Sequence, residues 1–152
     1  MQEPDIGLPV RNPTPDDGEA LAVLMLDAYE GTIDFEGTET LDDARDEVAG
    51  YFSPERRPMP EHSLIALDGD VPVAAVLVCR HEDLPFVAYV MTAAAHKGRG
   101  LATALTQLTV ASLNAAGERQ VHLWVTRGND HAERIYKRLG FREMPPTTLS
   151  AR

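Results

Sequence analysis

The chain has 152 residues, a length that fits one domain with a core large enough to need no staples. Hydrophobic residues at 43% and charged residues at 25% are ordinary for a globular protein. A net charge of −10 argues against nonspecific nucleic-acid binding, which needs a basic footprint. The charge is divided along the chain. Residues 1–70 hold 18 acidic and 4 basic side chains, whereas residues 71–152 hold 6 acidic and 10 basic ones. That division suits one region for anionic phosphates and another for a cationic partner, unless it is only a solvated acidic surface. The single cysteine, Cys79, allows no intramolecular disulfide and points to a reduced cytoplasm. Residues 1–5 have no apolar core and do not read as a signal peptide. No apolar run approaches the ~20 residues that span a membrane, so no membrane partner is expected. A domain over 8–152 with a flexible tail over 1–7 is the expected organisation.

In chain order, residues 8–11 form a short strand candidate ended by Asn12 and Pro13. A helix follows, capped by Thr14 or Asp16, with Ala20, Leu21, Leu24, Met25 and Ala28 on one face. It ends before Gly31, and residues 31–37 read as a loop. Thr40 caps a second helix from Leu41 to about Phe52, striped by Leu41, Ala44, Val48 and Phe52. Residues 53–60 form a linker inside the domain. Residues 63–67 and 71–80 flank Asp68-Gly69-Asp70, a strong hairpin signal. Residues 81–83 turn the chain into a third antiparallel strand over 85–92. A helix runs from about Gly100 to Ala115 and stops at Gly117. Residues 121–126 are the next strand, and Asn129 starts a helix through Leu139. Residues 141–143 resume as a strand, and the tail over 147–150 is a candidate for one more. The order β-α-α-β-β-β-α-β-α-β(-β) describes an α/β (α+β) domain on a mixed, mostly antiparallel sheet.

The most informative stretch runs from Val90 through the glycine loop to the helix after it. A helix start carries unpaired N–H groups and a positive dipole end, so it can hold an anion. Gly98 and Gly100 clear the approach to that backbone, and Lys97 and Arg99 add charge beside it. A Walker A loop needs Lys followed by Ser or Thr, a pair absent from the chain. A dinucleotide fingerprint needs an acid at the end of the next strand, but Glu118 precedes that strand. A merely tight strand-to-helix turn is the plain alternative.

Two motifs carry a resemblance to a known family. Lys97-x-x-Gly100-x-Ala102 is similar to the Q/R-x-x-G-x-G/A pyrophosphate loop of the GNAT superfamily of N-acetyltransferases, with lysine keeping the charge. Asn129-x-x-Ala132-x-x-Ile135-Tyr136-x-x-x-Gly140-Phe141 is similar to that family's segment after its fifth strand. The resemblance implies acetyl-CoA as acyl donor and direct acetyl transfer to a primary amine of a small cationic molecule or a peptide. It places the thioester on the backbone of Val90, Met91 and Thr92, where the central strand splays from its neighbour. The pyrophosphate would then meet the N–H groups of Gly98, Arg99, Gly100, Leu101, Ala102 and Thr103, with the Thr103 hydroxyl and Arg99 assisting and the Lys97 charge beside them. Asn129 would meet the pantetheine arm as well as cap its helix. Tyr136 takes the place of the general acid, or else packs its ring on the preceding strand. The glutamate some members use as base is replaced by Phe86, which leaves a noncatalytic acyl-CoA-binding regulatory domain as the alternative.

Glu30, Asp34 and Glu36 could drain the amine's proton through water, with Tyr89 as another route, or be plain surface groups. Acids also crowd residues 39–47, suiting a cationic acceptor. The five histidines lack ligand spacing, so no metal is expected. A homodimer is common in the family, and strand edges left by the short tail are surfaces a partner could cover.

Overall fold

In a computed structural model the described residues are 6–30, 37–125 and 129–143. Asp34, Glu36, Thr126 and the tail over 147–150 therefore lie outside the described residues. Strands β1 (Val10–Arg11), β2 (Leu64–Asp68), β3 (Val71–His81), β4 (Leu84–Thr92) and β5 (His122–Leu123) form one sheet in sequence order. The first three pairings are antiparallel, and β4–β5 is parallel. Helices are α1 (Gly18–Tyr29), α2 (Leu41–Phe52), α3 (Leu101–Ala115) and α4 (Asp130–Arg138).

β3 is apolar nearly throughout because both of its faces are covered. Ala75, Leu77 and Cys79 pack into the cluster shared with α1 and α2, around Leu21, Met25 and Val48. Ala74, Val76 and Val78 pack into the cluster shared with α3, around Leu101, Leu105 and Leu113. The sheet thus separates two layers, α1 and α2 on one side and α3 on the other.

Local chemistry fixes the helix ends. The Thr40 hydroxyl accepts from the Asp43 amide at 3.2 Å, and Asp43 accepts from the Thr40 amide at 2.9 Å. This reciprocal capping box satisfies two amides that the helix cannot pair. Before α1, residues Pro15–Asp17 form a 3-10 turn. Asp17 accepts from the Thr14 amide at 2.7 Å and takes both arms of Arg11, at 2.9 and 2.7 Å. Both α3 and α4 close on glycine. At α4 the Gly140 amide donates to Lys137 and the Phe141 amide to Tyr136, at 3.1 and 2.9 Å. These are the two bonds of a Schellman motif, and Gly140 has the left-handed φ of 99° that the motif demands.

Two sequence expectations need correction. Residues 141–143 form no strand, because the Phe141 amide and ring are both spent on closing α4. The 53–60 linker is more than a connection. The Met59 amide donates to the Val78 carbonyl and the Arg80 amide to Arg57, so the segment runs beside β3. Buried Tyr51 locks it there, its hydroxyl 2.8 Å from both the Val78 carbonyl and Ser63 Oγ.

Candidate active site

The site is organised by β4. Opposite β3 the register shifts between Leu77↔Tyr89 and Val78↔Val87, so Ala88 is an extra residue, a β-bulge. A bulge bends its strand and disrupts the ladder locally. On the other edge, among the described residues, the pairing with β5 is limited to Phe86↔His122 and Val87↔Leu123. From Ala88 to Thr92 that edge of β4 pairs with none of the described residues, and the bulge stands where the pairing stops. Val90, Met91 and Thr92 lie on this stretch. Val90 packs toward α3, Met91 is buried toward α1 and α2, and Thr92 is half-buried.

The chain then passes through a 3-10 turn (Ala94–His96) into the glycine loop. Gly98 and Gly100 have φ of 84° and 77°, the left-handed region that disfavours any side chain. A Cβ at either would meet no atom within 4 Å, so the space beside this backbone is open. Bonding within α3 starts with the Ala104 amide on the Gly100 carbonyl, at 3.0 Å. The amides of residues 98–103 therefore precede the ladder and are available as donors. No acidic residue stands in the first turn of α3 to compete for an anion. Arg99 is exposed beside them, and Leu101 is buried and anchors the helix start. Ala102 and Thr103 are half-buried. Open space, left-handed glycines and uncommitted amides fit a pyrophosphate-bearing arm such as that of coenzyme A. Lys97 sits differently from expectation. Its ammonium donates to the Ala28 carbonyl at 2.8 Å, in the last turn of α1.

On the other side of β4 a cleft of about 600 Å³ opens between α1 and α2. Met25, Leu26 and Tyr29 come from α1, and Ala88 and Tyr89 from β4. Glu39, Asp43, Asp46 and Glu47 supply four carboxylates and no lining residue is basic. The Tyr89 hydroxyl donates to Glu47. Burial, and then the bond to Glu47, push the Tyr89 phenol up to about 12, against a smaller opposing pull from Arg56. Glu30 is exposed at the end of α1 and does not line this cleft. The Tyr89–Glu47 bond joins residues 42 apart, and no local pattern in the sequence signals it.

Asn129 caps α4, its side-chain oxygen accepting from the Ala132 amide at 3.2 Å. Tyr136 stands one turn before the close of the helix, with its ring edge-on to Phe141 at 5.8 Å. This is the apolar contact that accompanies a Schellman motif, so the Tyr-x-x-x-Gly-Phe spacing has a structural cause. Burial alone raises the Tyr136 phenol to about 12.

Comparison with known proteins follows the same outline. The model of the acetyltransferase (GNAT) family matches residues 19–141. The chain is 33% identical over 88 residues to N-alpha-acetyltransferase 30 of Schizosaccharomyces pombe. That match covers 54% of this chain and 58% of the relative, so the chain spans less than two thirds of its length. A possible acetyltransferase from Clostridium difficile 630 shares the fold with a TM-score of 0.75 and 16% identity, over 93% of this chain and 94% of that one. The ribosomal-protein-S18-alanine N-acetyltransferase of Escherichia coli does so with a TM-score of 0.73 and 17% identity, over 92% and 84%. No helix among the described residues is long and apolar enough to cross a membrane. With its family model matching residues 19–141, most of the chain, this chain belongs to the acetyltransferase (GNAT) family.

Proposed function

We propose that the protein transfers the acetyl group of acetyl-CoA directly to a primary amine of a cationic small molecule or a peptide. The observation that carries this reading is the double use of β4. Ala88 and Tyr89 wall an acidic cleft, while the edge of the same stretch toward β5 pairs with none of the described residues and the strand runs on into the glycine loop. A donor laid on the edge and an acceptor seated in the cleft would meet across one strand. The Escherichia coli protein of the same fold, an N-acetyltransferase of an alanine of ribosomal protein S18, supports a peptide amine as one candidate acceptor.

Acetyl-CoA, when bound, supplies an activated thioester. The chain's own groups do the rest. Amides of residues 98–103, the Thr103 hydroxyl and Arg99 hold the pyrophosphate. Backbone groups of Val90, Met91 and Thr92 orient the pantetheine arm, with Asn129 beside it. An N–H aimed at the acyl oxygen stabilises negative charge there as it develops. Tyr136 Oη is the general acid that meets the departing sulfur. A phenol near 12 keeps its proton across the physiological range and can still release it transiently. The attacking amine must lose a proton. Tyr89, bonded to Glu47 in the cleft wall, is the route this reading favours. Carboxylates around the cleft draw in the cationic acceptor.

The test is release of free thiol from acetyl-CoA with a panel of amines: polyamines, aminoglycosides and short peptides. Amine-dependent release is expected. Tyr136→Phe should lower its rate by roughly 10²-fold or more, the scale of general-acid loss, with CoA affinity little changed. Tight CoA binding without release on any amine would support the noncatalytic alternative instead.

A further inference from the structure

Between the glycine loop and α1 lie two hydrogen bonds that neither motif explains. The Lys97 ammonium donates to the Ala28 carbonyl at 2.8 Å. Three residues earlier, the Ala94 amide donates to Asp27 Oδ2 at 2.9 Å. Their acceptors are consecutive residues of α1, flanked by Leu26 and Tyr29, which line the acidic cleft. The Ala28 carbonyl is among the last four of its helix and has no partner further along it. A cation at that end also suits the helix dipole. The loop side is equally well fixed, since the Ala93 amide donates to the Val73 carbonyl of β3 at 2.8 Å. One short segment, residues 93–97, is thus fastened to the sheet at one end and to α1 by two bonds.

We propose that Lys97 is a positioning residue: with Asp27 it ties the glycine loop to the last turn of α1, so that occupancy of the loop is felt in the cleft wall. Phosphate contact belongs to the loop amides and Arg99, and the Lys97 ammonium is spent on the strut. The coupling rests on the reading of the loop as a coenzyme A site. The strut itself is read from geometry alone.

Amide hydrogen exchange of the last turn of α1, with and without CoA, tests it on the full chain. In the wild-type protein CoA should slow exchange there. Lys97→Arg, which can still donate to a carbonyl, should keep that response. Lys97→Met and Asp27→Ala should each lose most of it, and in the free protein should exchange faster than wild type at this turn. CoA affinity should change by less than about threefold in both, with its salt dependence intact. Asp27 carries no positive charge to offer a phosphate, so agreement between the two variants separates strut from ligand. A loss of CoA affinity of about tenfold or more in Lys97→Met, with a flattened salt dependence and an ordinary Asp27→Ala, would overturn the proposal. So would unchanged α1 exchange in both variants. A wild-type protein that fails to bind CoA would defeat the coenzyme reading, and free-protein exchange would still judge the strut.

Discussion

Asp17 illustrates how much one side chain can hold. It accepts from the Thr14 amide and from both arms of Arg11 while its own side chain is only 11% exposed. The Arg11 bonds hold its carboxyl below the usual carboxylate range, against a smaller opposing effect of burial. A lowered folded-state value means the stabilisation is complete above the ordinary carboxylate pKa near ~4 and fades as pH falls through the lowered value. Asp17→Asn should therefore cost about 1–3 kcal/mol at pH 7, lowering Tm by about 2–4 °C per kcal/mol. Melting curves taken from pH 7 to pH 2 should converge for the two proteins at the acid end. Parallel curves would show that the charge on Asp17 contributes nothing. Tyr136 lies at the other extreme, since its raised phenol follows from burial with no charged partner. The motif position was legible in the sequence. Its burial against Phe141 was not, because that follows from how α4 closes.

At the scale of elements, boundaries governed by near neighbours were read well. Thr40 and Asn129 cap their helices as expected, and the Asp-Gly turn joins β2 to β3. What escaped depends on partners far away in sequence. The Ala88 bulge exists only relative to β3, and the 3-10 linker finds its place only against Val78 and Arg80. A sixth strand over 141–143 was expected after the Gly140 stop, but the closure of α4 takes Phe141 first. The β3–β4 turn is another surprise. Glu82 and Asp83 have φ of 51° and 66°, a conformation that a two-residue hairpin usually gives to Asn-Gly. Asp83 is retained by its ion pair with Arg57 at 2.9 Å, whereas Glu82 has no such compensation among the ion pairs of the described residues. Left-handed backbone costs an ordinary residue about 1–2 kcal/mol, and asparagine less. Glu82→Asn should raise Tm by roughly 2–4 °C, corresponding to recovery of about 1 kcal/mol. A thermal melt with no increase would mean the turn carries no strain.

Across the whole molecule, the uneven charge acquires a layout. Residues 1–70 build α1 and α2 and so the acidic cleft, and residues 71–152 build β3, β4 and the glycine loop. The two halves of the chain meet along β4, one suited to a cation and the other to phosphates. The sequence showed the imbalance, but only the packing of α2 beside Tyr89 brings three of the helix's carboxylates, with Glu39 just before it, to one opening. For a cationic amine, Glu47→Gln should raise KM several-fold while leaving CoA affinity unchanged. Raising salt from ~50 to ~300 mM should shrink that difference, because screening weakens exposed charges most. Equal KM values in the two proteins at low salt would remove Glu47 from acceptor binding. The same strand sets which chemistry goes to which layer. Phe86 faces the α1 and α2 layer and Val87 the α3 layer, yet after the bulge Tyr89 and Met91 face the former and Val90 the latter. Ala88 thus acts as a phase shifter for the strand. Read with an unbroken period of two, Tyr89 would share a face with Val87 and be lost to the cleft. A length change of one residue at this point would therefore exchange the two faces for the residues that follow and take Tyr89 out of the cleft wall, while an equal change in a surface loop would be absorbed.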